Sequence, residues 1–139
     1  MRMAVDGLSE TRLDTPYRPG GWTVRQLVHH VSDSHINAYV RMKWGLTEDT
    51  PAIKTYDEKV WAELLDARTA AVEISLQLLT GLHARWDALL NAMTTEDFAR
   101  TIRHPEMGAM TLTTLLQLYG WHGRHHVAHI ERLREREGW

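Results

Sequence analysis

The chain has 139 residues, a formal net charge of −2 and no cysteine. That length suits one domain spanning 1–139, with a core large enough to need neither disulfides nor a structural metal. The absence of thiols excludes disulfide frameworks, thiolate zinc sites, iron–sulfur clusters and cysteine nucleophiles. The near-balanced charge gives no general attraction to phosphate backbones or anionic lipids, and no apolar run approaches the roughly 20 residues that span a bilayer. Nucleic acid and membrane are therefore not expected as partners, and with no signal-peptide core in Met1–Asp6 the expectation is a cytoplasmic protein.

In chain order, a short N-terminal element is followed by the turn-rich Pro16–Gly21. Thr23-Val24-Arg25-Gln26 then reads as a capping box, in which Thr23 and Gln26 satisfy each other's free backbone amides. A helix is predicted from about Thr23 to Gly45, with Val24, Leu27, Val28, Val31 and Ile36 on its packed face. Thr47–Pro51 breaks it, and Thr55-Tyr56-Asp57-Glu58 offers a second capping box. From there to about Met93 the pattern is helical, with an interruption near Asp66. Leu64, Leu65, Ala71, Ile74, Leu78, Leu82, Trp86 and Leu89 recur there at three- and four-residue steps. Thr95–Phe98 reads as a short turn of helix and Thr101–Gly108 as a loop or small hairpin. A last helix is predicted from near Thr111 to Glu137, ended by Gly138. Three long helices and a short N-terminal element make an all-α antiparallel bundle.

Four of the nine histidines fall within Trp121–His129. Residues four apart on a helix share a face, so two imidazoles at that spacing can hold one ion. Two pairs have it, His125 with His129 and His122 with His126. They point in directions about 100° apart, so one ion cannot use both equally. Leu118 and Leu133 lie near the direction of His125 and His129, which favours that pair as the inward one.

A third ligand must come from another helix, where His29, His30 and His35 are candidates. His30, Ser34, Asn37 and Arg41 form a polar stripe along a helix that should bury its face. The spacing allows a water-lined metal site shared between helices. It equally allows a solvent-facing stripe whose histidines are satisfied one by one.

The run Pro19-Gly20-Gly21-Trp22-Thr23-Val24-Arg25-Gln26-Leu27-Val28-His29-His30-Val31-Ser32-Asp33-Ser34-His35, followed by Tyr56-Asp57-Glu58 and by Trp121-His122-Gly123-Arg124-His125-His126-Val127-Ala128-His129-Ile130, closely resembles the YfiT branch of the DinB-like superfamily. The blocks stand in family order over nearly the whole chain. The resemblance implies an antiparallel four-helix bundle and a divalent metal held by one histidine of the second helix and a His-x-x-x-His pair on the last. Carried onto this sequence, those ligands are His30, His125 and His129. Measured against the branch, the chain starts inside the first helix, at Met3–Leu8. A truncated first helix would expose apolar surface, so a homodimer is expected.

Three neutral imidazoles leave an ion with an open position and uncompensated charge, the arrangement of a catalytic site. Zinc, then nickel, suits three nitrogens; magnesium and calcium prefer oxygen. The first functional expectation is a hydrolase using metal-activated water, acting on a small-molecule substrate with Ser34, Asn37 and Arg41 as contacts. The segment lacks the glutamate of His-Glu-x-x-His proteases, leaving Asp33, Asp57 or Glu58 to act as base from elsewhere. The resemblance adds an alternative, a transferase for a low-molecular-weight thiol of the bacillithiol type, in which the metal lowers the thiol's pKa. A non-catalytic metal-binding, stress-associated module is the third.

Overall fold

A computed structural model describes residues 1–139. Two single-turn helices, α1 (Arg2–Val5) and α2 (Glu10–Leu13), lead into the 24-residue α3 (Val24–Thr47). Three helices follow, α4 (Glu58–Ala62), α5 (Leu65–Thr69) and the 20-residue α6 (Val72–Asn91). The short α7 (Thr95–Ala99) leads to a hairpin of β1 (Thr101–His104) and β2 (Gly108–Thr111), and the 26-residue α8 (Leu112–Glu137) ends the chain. The fold is a helical bundle with α3 at its centre, packed on α6 and α8.

Local chemistry sets the boundaries. Thr23 accepts from the Gln26 amide while the Gln26 side chain accepts from the Thr23 amide, so the capping box that starts α3 is complete. At the other end, Arg100 donates to the carbonyls of Gly45 and Glu48, occupying acceptors the helix cannot satisfy itself. Thr111 caps α8 through the Thr114 amide, and Gly138 closes it at φ 68°, a left-handed conformation glycine adopts without a Cβ clash.

Two expectations need correction. Asp57, not Thr55, caps α4, because its carboxylate accepts from both Lys59 and Val60. The stretch to Met93 is broken twice, after Ala62 and after Thr69, since Leu64 and Ala71 both take extended conformations. Leu64, Leu65, Ile74 and Leu78 are consequently exposed, although their spacing suits a core face.

The core has two apolar parts. One gathers Val24, Leu27 and Val28 of α3 with Ile130 and Leu133 of α8. The other gathers Ala38 and Met42 of α3 with Leu112, Leu115 and Tyr119 of α8, Trp86 of α6 and Ile102 of β1. The pairing of early α3 with late α8, and of late α3 with early α8, makes these helices antiparallel. Gly45 lets the hairpin close down on α3, for a Cβ there would sit 2.6 Å from Leu112 Cδ2 and 2.9 Å from Ile102 Cγ2. Between the two apolar parts lies a layer that is not apolar, holding His29, His30, Ser34 and His35 of α3 and His126 of α8, all buried.

Candidate metal centre

Within that layer the ring nitrogens of His30, His122 and His126 converge. Each offers one atom, and the three lie within 4.8 Å of one another. His30 Nε2 is 3.2 Å from His122 Nε2, which is 3.2 Å from His126 Nε2. A tetrahedral ion with bonds of about 2.0–2.1 Å keeps its ligand nitrogens roughly 3.3 Å apart, which the two separations from His122 match. Burial pushes the His30 imidazole down to about 4, reinforced by His122, and pushes His122 down to about 4 and His126 to about 2, with neighbouring histidines adding repulsion. The rings are therefore neutral at pH 7 and carry lone pairs. The Nδ1 atoms of His122 and His126 are buried without a hydrogen-bond partner. With the protons on those Nδ1 atoms, the Nε2 lone pairs face the common centre, where a cation removes their mutual repulsion.

The structure groups His30 with His122 and His126 and does not bring His125 and His129 to it. Those two pair with each other, Nε2 to Nε2 at 3.0 Å, with Trp121 stacked on His125 and Tyr17 tilted over His129. The inward face of α8 runs Leu112, Leu115, Tyr119, His126, Ile130 and Leu133, each buried. His122 sits three residues after Tyr119 and four before His126, on that same stripe, whereas His125 is rotated about 100° away from His126. Leu118, which suggested the other face, is only partly buried. Ile130, four residues after His126 and fully buried, fixes the register of this face in the structure.

The adjacent histidines have separate tasks. His29 accepts from the Ser75 hydroxyl at Nδ1 (2.7 Å) and donates from Nε2 to the Ala70 carbonyl (3.1 Å), tying α3 to the start of α6. His35 Nδ1 meets His83 Nε2 at 2.8 Å, a second link between the same helices.

A cavity of about 410 Å³ opens beside the three nitrogens, with His30, His122 and His126 in its wall. Ser34 and Arg41 of the expected stripe also line it. Asn37 does not: its amide donates to the Asp33 carbonyl one turn back on its own helix. The far wall comes from the loop after α3, held in place where Ile53 N donates to the Arg103 carbonyl and Arg103 N to the Pro51 carbonyl. That loop supplies Tyr56 and, at the start of α4, Glu58. Burial raises the Tyr56 phenol above its usual range, partly offset by a hydrogen bond with Ser34. Trp22 packs against His30 with ring centroids 4.7 Å apart, covering the site from the turn before α3. Tyr56, Trp22 and the hairpin residue Glu106 are lining residues that the sequence reading did not single out as site residues. They come from loops, where no helical period marks a face.

Fold and site together define a helical bundle with a three-histidine centre in its interior layer, a class of protein suited to binding a divalent metal. The model of the DinB superfamily matches residues 1–130, and the chain belongs to that superfamily. It is 53% identical over 140 residues to YfiT of Bacillus subtilis, described as a "putative metal-dependent hydrolase", a match covering all of this chain and 79% of that protein. A relative from Geobacillus kaustophilus with the same description is 54% identical over 141 residues, again covering 79% of its length. The solved structure of the Bacillus subtilis protein, described as having an unusual four-helix bundle topology, superposes with a TM-score of 0.97 over 99% of this chain and 79% of that one.

Proposed function

We propose that this chain is a metal-dependent hydrolase whose ion is held by Nε2 of His30, His122 and His126, and that zinc is the ion, with nickel second. The observation that carries the reading is the convergence of three neutral imidazoles, His30 and His126 buried and His122 half-buried, in the wall of a cavity. The names of the relatives support it. When bound, a divalent ion at that point supplies Lewis acidity, polarising a carbonyl or phosphoryl oxygen and lowering the pKa of nearby water.

The protein's own groups supply the rest. Of the three carboxylates considered as base, Asp57 is committed to capping α4 and Asp33 does not line the cavity, leaving Glu58 as the proton acceptor in the wall. Tyr56, held protonated well above neutral pH, donates a hydrogen bond to substrate. Trp22 and Trp121 add apolar surface to the wall of the same cavity.

The test is hydrolysis of ester, amide and phosphoester panels by protein carrying one equivalent of zinc, of nickel, or no metal. Turnover that needs metal and no thiol supports a hydrolase. Conjugate formation only with an added low-molecular-weight thiol replaces it with the transferase, and metal binding without either replaces it with the non-catalytic module. The expected homodimer is carried as a proposal on a groove of about 810 Å³ between α6 and α8, lined by Leu79, Trp86, Leu116 and Val127. Sedimentation equilibrium supports it with twice the chain mass and removes it with the chain mass alone. No helix is long and apolar enough to cross a membrane.

A further inference from the structure

Two arginines on α3 are almost fully buried, Arg25 at 4% exposed and Arg41 at 6%. They are buried on opposite terms. Arg25 pairs with Glu10 at 2.5 Å and Asp14 at 2.7 Å and donates a third bond to the Ala70 carbonyl. Arg41 has no carboxylate within ion-pairing distance. It donates once to the Tyr119 hydroxyl at 3.1 Å and once to the Lys54 carbonyl at 2.8 Å, both neutral, and its Nε is buried without a partner. A guanidinium offers five N–H donors and cannot shed its charge, so Arg41 is a buried cation with most of its hydrogen-bonding capacity unused. Burying such a charge unpaired is costly, which makes it a poor device for stability.

Its position gives the cost a purpose. Arg41 stands in the wall of the cavity that contains His30, His122 and His126. Its partner Tyr119 lies next to the histidines, with its ring 5.7 Å from that of His122. Lys54 belongs to the loop that forms the opposite wall, so the bond from Arg41 also sets the width of the cavity. The carboxylates lining this space, Glu58 and Glu106, are exposed side chains that do not pair with it.

We propose that Arg41 is an oxyanion anchor, so that the substrate carries a carboxylate or phosphate group bound by this guanidinium while the bond to be broken lies at the three histidines. The planar fork of an arginine suits either group, and a desolvated charge-assisted bond holds it more tightly than a surface lysine would. The proposal rests on the hydrolase reading for the role of the histidines, but anchoring an anion does not itself require the metal.

The experiment therefore uses the metal-free chain, dialysed clear of chelator. Inorganic phosphate and succinate are titrated against chloride at equal ionic strength, and the thermal midpoint and titration heats are read for wild type, Arg41→Gln and Arg41→Lys. Wild type should be stabilised by one of the two oxyanions beyond chloride, and which one distinguishes phosphate from carboxylate. Affinity should fall about tenfold or more in Arg41→Gln, the loss expected for a charged hydrogen bond, and be kept in part by Arg41→Lys. No stabilisation of wild type beyond chloride, or equal stabilisation of Arg41→Gln, overturns the anchor. If Arg41→Gln does not fold, the Arg41 side-chain N–H resonance of wild type is followed instead: movement on adding the anion supports the proposal, and invariance overturns it. Zinc stoichiometry measured in parallel separates the two readings, since loss of the metal site leaves the anion response standing and loss of the anchor leaves zinc binding standing.

Discussion

His122 and His125 differ by less than one turn of α8, yet one faces two other imidazoles and the other a tryptophan. Substitution separates them sharply. If the proposed centre holds the ion, His30→Ala, His122→Ala and His126→Ala should each lower zinc affinity at least about 100-fold, since each removes one of three proposed ligands. His125→Ala and His129→Ala should keep one tight equivalent, as isothermal titration can show. Retained tight binding in any of the first three removes that residue from the ligand set. Glu58→Gln should keep the metal and lower kcat about 10²-fold or more, the contribution usual for a positioned base. An unchanged kcat would leave the proton to another group. His30 was legible in the sequence because it heads a polar stripe on an otherwise apolar helix. The partner pair was not, because two overlapping His-x-x-x-His spacings differ only in rotation. Only the burial of Tyr119 and Ile130 decides which faces inward.

Each long helix carries two kinds of information along its length. In α3 the residues near Val24 and Val28 belong to one apolar cluster and those near Ala38 and Met42 to the other, with the histidine layer between. The caps that position this layer can be read from local sequence, and Thr23–Gln26 and Thr111 were, because a cap needs only residues three apart. The breaks around Leu64 and Ala71 could not be read that way. No proline or glycine marks them; tertiary packing ends these short helices, turning a regular apolar spacing outward. The hairpin is the element that tightens the second apolar cluster, since Ile102 is fully buried beneath Gly45 and against Leu112. Ile102→Ala should cost about 2–5 kcal/mol in urea unfolding by leaving a cavity. Thr111→Ala, at the exposed start of α8, should cost about 1 kcal/mol. Because neither residue touches the histidines, both variants should bind zinc with wild-type stoichiometry when folded, and a loss of binding would show that the hairpin shapes the site directly.

For the whole molecule, a layer of neutral histidines across the bundle makes stability depend on protons and metal together. His30, His122 and His126 have folded-state values near 4, 4 and 2, below the roughly 6.5 of an unfolded chain. Between those limits the unfolded state binds more protons, so stability is fully present above about pH 6.5 and is lost as pH falls toward the folded values. Asp33 works in the opposite sense, because burial and Asp66 raise it to about 6 and its protonation favours the fold. One such group does not balance three, and the metal-free chain should melt at progressively lower temperature from pH 7 to pH 5. A flat or rising Tm over that interval would mean that the histidines are solvated rather than buried. An ion that binds only the folded chain adds stability by mass action, about 2.7 kcal/mol at a free concentration of 100 Kd. Calorimetry at pH 7 should therefore show zinc raising Tm by on the order of 10 °C in wild type. In His126→Ala the same zinc concentration should raise it by far less, because the gain belongs to three converging nitrogens rather than to histidine content. An equal rise in that variant would place the stabilising ion elsewhere on the chain, with His125 and His129 the first pair to examine.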